Sequence, residues 1–385
     1  MECQHCGRET PEGNYCVWCG ARLQAGEGAR RRSQAYAASP NEHVLAPSPI
    51  STFFPHLNTH RTQQTGGLLL LLVVGLVALG FARLLPISTV LAALIVPLIY
   101  LVYFYEVEIY EDEPIAVILG TFVAGGVLGA VFSVLTYRST LSLITPGRAP
   151  GTNYYLVVGV LWPLIIQTLM LVGPLALFFL RRKPSHDMLD GMTFGVASGL
   201  GFAAAQSIAN SWVLITGAPQ LAGNTDPWGL ALRTIPISLL VPLLYAATTG
   251  LICAAIWLRA DPTPPAQPQS LLTSIPFSVV VAVIALIIPA IGTAAWGGQW
   301  RNILWYGLVL IAIMIILRQA LHTGLIDKAA SIGHGGTLRC PHCGASVADV
   351  PFCSNCGMSM RSVDRRARKQ ATPQSTPEVN PGDAQ

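Results

Sequence analysis

The sequence predicts an all-α polytopic membrane protein of about eight transmembrane helices, flanked by two small four-cysteine zinc ribbons. Three observations predict it. The 385 residues are 52% hydrophobic and only 11% charged, with a mean hydropathy of +0.52. Apolar runs of about twenty residues, long enough to cross a hydrocarbon core, recur through the middle of the chain. Eight of the nine cysteines form two matched quartets at its opposite ends.

Residues 1–23 make the first ribbon, with Cys3, Cys6, Cys16 and Cys19 as ligands. Residues 340–360 make the second, with Cys340, Cys343, Cys353 and Cys356. Each quartet is two Cys-x-x-Cys turns separated by nine residues; an aromatic precedes each third cysteine, and glycine follows each second and fourth. Two such turns present four soft thiolates at the bite a tetrahedral Zn²⁺ requires. Glycine suits a knuckle because it accepts positive φ. Tyr15, Trp18 and Phe352 are placed to cap folds too small for a core of their own, so two structural zinc ions supply much of the stability. His5 and His342 lie between ligand cysteines and are spectators of a complete four-thiolate set. A disulfide pair or an iron site remains open as the alternative to zinc. Four protein thiolates leave the metal no open position, so the sites are structural or partner-binding rather than catalytic.

Residues 24–65, rich in Ala, Ser, Pro, Arg and Gln without periodicity, read as a disordered linker. Residues 66–321 form the transmembrane domain, with spans near 66–85, 87–105, 114–136, 154–180, 188–215, 229–258, 271–292 and 301–321. Residues 322–339 are a second linker, and 361–385 a disordered basic and polar tail. The polar, cysteine-rich start is unlike a secretory signal peptide. Zinc thiolates need a reducing compartment, so both ends face the cytoplasm of an integral membrane protein, in the plasma membrane of a prokaryote. The positive-inside rule agrees in sign: Arg181, Arg182, Lys183 and Arg259, flanked by Arg61, Arg318 and Lys328, fall inside. Arg83, Arg138, Arg148 and Arg301 fall outside.

A net charge of +4 gives no bulk signal for nucleic acid. The clusters Arg30, Arg31, Arg32 and Arg361, Arg365, Arg366, Arg368, Lys369 are better suited to anionic membrane lipids or to setting topology. A membrane or cytosolic protein partner comes next. The acidic run Glu106, Glu108, Glu111, Asp112 and Glu113 reads as a solvated loop facing Arg181, Arg182 and Lys183, with a cation site as the alternative.

Inside the spans, Gly191, Gly195 and Gly199 recur every fourth residue and offer a face that another helix can approach closely. Gln206 and Asn210 continue that side, and Gln167 lies in the preceding span; the plain role for these amides is hydrogen bonding between helices. Ser198 and Cys253 read as packing residues, because no span carries a histidine to activate them.

The run Tyr110-Glu111-Asp112-Glu113-Pro114, and Arg181-Arg182 followed by Asp190-Gly191, Gly195 and Gly201-Phe202-Ala203, resemble stretches of the PrsW-type intramembrane proteases. These are relatives of the wider CAAX-protease-like membrane hydrolases, and the resemblance covers about residues 66–260. It implies paired glutamates in one span, a glutamate four residues after a phenylalanine in the next, and a histidine in a third. Each position departs. Ile166 and Gln167 stand where the resemblance puts the glutamate pair, Met170 where it puts a lysine, and Gln206 where it puts the next glutamate. The span 229–258 holds no histidine. All eight histidines lie outside the spans or at their ends, and the nearest acids, Glu106 and Asp190, sit at span boundaries. Gln is shaped like Glu but cannot act as a general base near neutral pH. The expectation is therefore a non-catalytic membrane adaptor, sensor or regulator with cytoplasmic ribbons for partner binding. The alternative is an active protease with an atypical catalytic set.

Overall fold

Long runs without charge become helices in a membrane because only internal hydrogen bonds can satisfy a backbone surrounded by lipid. The computed structural model describes residues 1–3, 8–18, 20–23, 115–143, 151–180, 188–210, 235–260, 274–295, 298–330, 337–340, 343–348, 350–358 and 360, with scattered positions between 71 and 99 and at 232. Among them, six helices are long and apolar enough to cross a membrane. They are α1 (Ile115–Leu143), α2 (Thr152–Leu180), α3 (Met188–Asn210), α4 (Val241–Ala260), α5 (Ile275–Ala295) and α6 (Gln299–Ala330). The first two expected spans, 66–85 and 87–105, lie outside the described residues apart from isolated positions.

Helices α3 and α4 form the centre: 72% and 78% of their spanning residues are buried, against 33% in each of the other four. Small residues explain why. A methyl group built at Gly191 would lie 2.6 Å from the Trp257 ring, at Gly195 2.7 Å from the Thr249 carbonyl oxygen, and at Gly199 2.6 Å from the Tyr245 carbonyl oxygen. The stripe on α3 thus lies directly on the α4 backbone. On the opposite side, Gly125 of α1 faces the Ser198 carbonyl and Gly201 of α3 faces the Phe122 carbonyl at similarly close range.

Met192, Val196, Leu200 and Phe202 of α3 pack with Leu244 and Leu251 of α4, Leu286 of α5, and Leu310, Ile313 and Leu317 of α6. Large apolar side chains such as Val134, Leu135, Phe179 and Leu180 point outward, as a lipid-facing surface requires. Cys253 is buried beside Phe194 and Trp257 in a small apolar cluster.

Two sequence expectations are corrected here. The stretch 322–339, read as a linker, is helical through Ala330 and supplies strand β1 (Thr337–Arg339). Apolar periodicity locates the crossing, whereas Ala, Leu and Lys residues carry the helix beyond it. Arg318, read as a flanking charge, is only 3% exposed. Asp190, at the start of α3, is likewise buried at 4% exposure.

Strand β1 pairs antiparallel with β2 (Ser346–Ala348), placing Arg339 opposite Ser346. The N-terminal ribbon repeats this with a bridge between Glu2 and Glu9.

Candidate functional site

The second quartet is assembled by backbone hydrogen bonds that turn each knuckle. Cys340 N–H donates to Ala345 O at 2.7 Å, and Gly344 N–H to Cys340 O at 2.8 Å. Cys353 N–H donates to Met358 O at 2.9 Å, and Gly357 N–H to Cys353 O at 2.8 Å. Gly344 and Gly357 take φ values of +72° and +73°, which a side chain would resist.

The Sγ atoms of Cys340, Cys343, Cys353 and Cys356 all lie within 4.8 Å of one another. The Cys340–Cys356 and Cys343–Cys353 sulfurs are 3.7 Å apart. Four thiolates about 2.3 Å from a central metal are about 3.8 Å apart, so this spacing fits a tetrahedral metal site. It is far too long for a disulfide, whose sulfurs lie about 2 Å apart. Asn355 donates from Nδ2 to Cys343 Sγ at 3.6 Å. Burial raises the Cys353 thiol, while the facing Cys340 sulfur and then burial raise Cys356. A cation among the sulfurs opposes both effects.

The first quartet is described at Cys3 and Cys16, both buried; Cys6 and Cys19 lie outside the described residues. Its hydrogen bonds nonetheless repeat those of the second: Cys3 N–H to Arg8 O, Cys16 N–H to Ala21 O, and Gly20 N–H to Cys16 O. Trp18 donates from Nε1 to Glu9 O at 2.8 Å and carries the Arg8 guanidinium over its ring at 5.7 Å. Phe352 is fully buried. The spectator histidines His5 and His342 lie outside the described residues.

Within the bundle, a cavity of about 480 Å³ opens where α1, α2, α3, α4, α5 and α6 converge. Two helices widen beside it. π-turns at Val157–Leu161 and Pro236–Leu240 immediately precede Pro163 and Pro242, and Val158 and Val241 line the cavity. Phe132, Trp162 and Tyr245 form aromatic walls. Phe132 meets Trp162 edge-on at 6.3 Å, and Phe202 meets Tyr245 at 6.1 Å. The polar lining is Ser133, Thr136, Gln206, Ser207, Asn210, Tyr245, Thr293 and Tyr306. The Ser133 hydroxyl is buried with no partner among the described residues.

A model of the PrsW family of intramembrane metalloproteases matches residues 113–320, more than half of the chain. The chain belongs to this family. No curated protein matches it, and no solved structure does. The PrsW match begins later than the resemblance read from the sequence and continues through α5 and most of α6, which that reading left unmatched. With six apolar helices and this membership, the chain is an integral membrane protein.

Of the four positions set against the PrsW-type catalytic pattern, the structure brings two to the cavity, Ile166 and Gln206. The other two turn away from it. Gln167 donates from Nε2 to Thr249 Oγ1 at 3.4 Å, and Thr249 Oγ1 lies 3.6 Å from Met170 Sδ. Gln167 Oε1 is buried with no partner among the described residues.

The described lining residues do not fit a catalytic metal: among them is no carboxylate, imidazole or thiol. Asp190, the one acid described in α3, is sixteen residues from Gln206 along that helix, or about 24 Å. Sequence reasoning missed Ser133 and Tyr306 as cavity residues, because hydroxyls spread over separate helices carry no spacing signal.

Proposed function

We propose that this chain is a non-catalytic PrsW-family membrane protein. It acts as an adaptor, sensor or regulator, with two structural Zn²⁺ ions in cytoplasmic ribbons. One observation carries the reading: Ile166 and Gln206 meet at a cavity whose lining, among the described residues, has hydroxyls and amides but no acid, base or metal ligand. Hydrolysis in a membrane needs water activated by a base or a metal, and a glutamine supplies neither. What remains is a site for binding. Its aromatic walls, hydroxyls and amides suit an uncharged occupant that forms hydrogen bonds, such as a segment of a membrane protein or a lipid.

The placement of the two chemistries supports a sensor. Tyr306 sits at the cavity end of α6, and the helix then continues to Ala330, about 36 Å further, toward the ribbon that follows. With both termini cytoplasmic in a prokaryotic plasma membrane, the cavity occupies the outer part of the bundle, and the ribbons meet cytosolic partners.

Family membership by itself favours the other reading, an active intramembrane peptidase with an atypical catalytic set. Crosslinking in native membranes followed by purification tests the adaptor reading. A photoreactive residue replacing Thr136 should capture a membrane component that is absent when Gln206 is replaced by Trp to fill the cavity. Capture of shortened peptide fragments by the Thr136 probe would instead favour the peptidase.

A further inference from the structure

The two ribbons touch each other, and they do so through equivalent edges. Tyr15, which precedes the third cysteine of the first ribbon, donates its N–H to Ser354 O at 3.1 Å. Phe352, which precedes the third cysteine of the second, donates its N–H to Val17 O at 3.0 Å. Ser354 and Val17 are themselves equivalent, each following the third cysteine. The two bonds are therefore reciprocal, as in an isologous contact between like subunits.

Departures from this symmetry have a local cause. Asn14 N–H adds a bond to Ser354 O at 3.0 Å, and its counterpart Pro351 has no N–H to give. Val17 is 2% exposed and Phe352 fully buried. The Tyr15 ring packs on Gly357, and a methyl built at Gly13 would lie 2.9 Å from Ser354 O.

We propose that the terminal quartets fold as one two-metal clamp, in which each ribbon docks on the equivalent edge of the other and metal at one end steadies the other end. Each ribbon has only a small apolar cluster of its own, around its cysteines, and the backbone bond between the ribbons joins Phe352 to Val17, both of them buried. Closure places both chain ends in one compartment and joins them across the membrane domain. The inference holds whether or not the bundle is catalytic.

The test uses the full chain in membranes, with an N-terminal tag and a protease site inserted between residues 24 and 29. The fragment so released carries none of Arg30, Arg31 and Arg32, which would otherwise bind lipid. After cutting in zinc and a high-salt wash, the fragment should stay with the membrane, and chelation should release it. Gly13→Val, which touches no cysteine, should release it with zinc present. Ser354→Phe crowds the same contact from the other ribbon and leaves the fragment unaltered, so its release excludes misfolding of the fragment as the cause. A fragment that leaves the unmodified membranes while zinc-loaded overturns the clamp. So does a fragment that stays put in both variants.

Discussion

Ser198 donates its hydroxyl to the backbone carbonyl of Met170 at 2.7 Å. The geometry has a cause one turn along α2. Pro174 lies four residues after Met170 inside that helix and has no N–H to give the carbonyl. In a membrane interior, a carbonyl left open has no water to turn to. The serine of the central helix thus repairs a defect that proline makes in its neighbour, which accounts for a buried hydroxyl without invoking a nucleophile.

Ser198→Ala should therefore lower stability by about 1 kcal/mol, the usual size of a hydrogen bond between membrane helices. The same substitution should cost less in a Pro174→Ala background, because the restored N–H can bond Met170 within α2. Unfolding of the four proteins in mixed micelles gives the cycle. Equal costs in both backgrounds would mean that Ser198 does not serve that carbonyl.

Gly195→Ala should cost about 1–3 kcal/mol, because the added methyl meets the Thr249 carbonyl across a contact that the whole α3–α4 interface shares. Gly120→Ala is the control. Nothing lies within 4 Å of a methyl there, and alanine is the better helix former. Gly120→Ala should leave the melting temperature level or raise it slightly, whereas Gly195→Ala lowers it.

Purified protein should contain two zinc ions per chain, and treatment with a strong chelator should remove them together with the ribbon structure. Replacing Cys3 and Cys16 together by Ser should leave one zinc and speed its loss from the second quartet to a chelator by about tenfold, the scale of an ordinary coupling between sites. Atomic absorption and a colorimetric release assay read both quantities. An unchanged release rate means the two metals are independent.

Much of this was legible because it is local. Cysteine spacing describes a ligand set over a few residues, and the second quartet folds as its spacing implies, with all four sulfurs brought together. The small residues at Gly191, Gly195 and Gly199 announce a close helix contact by period alone, though not which helix they meet. The cavity was not legible: its polar lining is one to three hydroxyls or amides from each of several helices, and no periodic signal connects Ser133 to Tyr306. Nor was the pairing of the ribbons, which rests on backbone bonds between segments at opposite ends of the chain. Arg318 escaped for another reason. Charge near the end of an apolar run normally marks an exposed flank, yet α6 continues past it and buries it.

The most direct measurement is peptide-bond cleavage by the purified protein in native lipids, with zinc present, against a panel of single-span membrane substrates and with Gln206→Ala alongside. The non-catalytic reading predicts no product above the protein-free control from either form. Cleavage by the unmodified chain that disappears in Gln206→Ala would contradict it and make this an active PrsW protease.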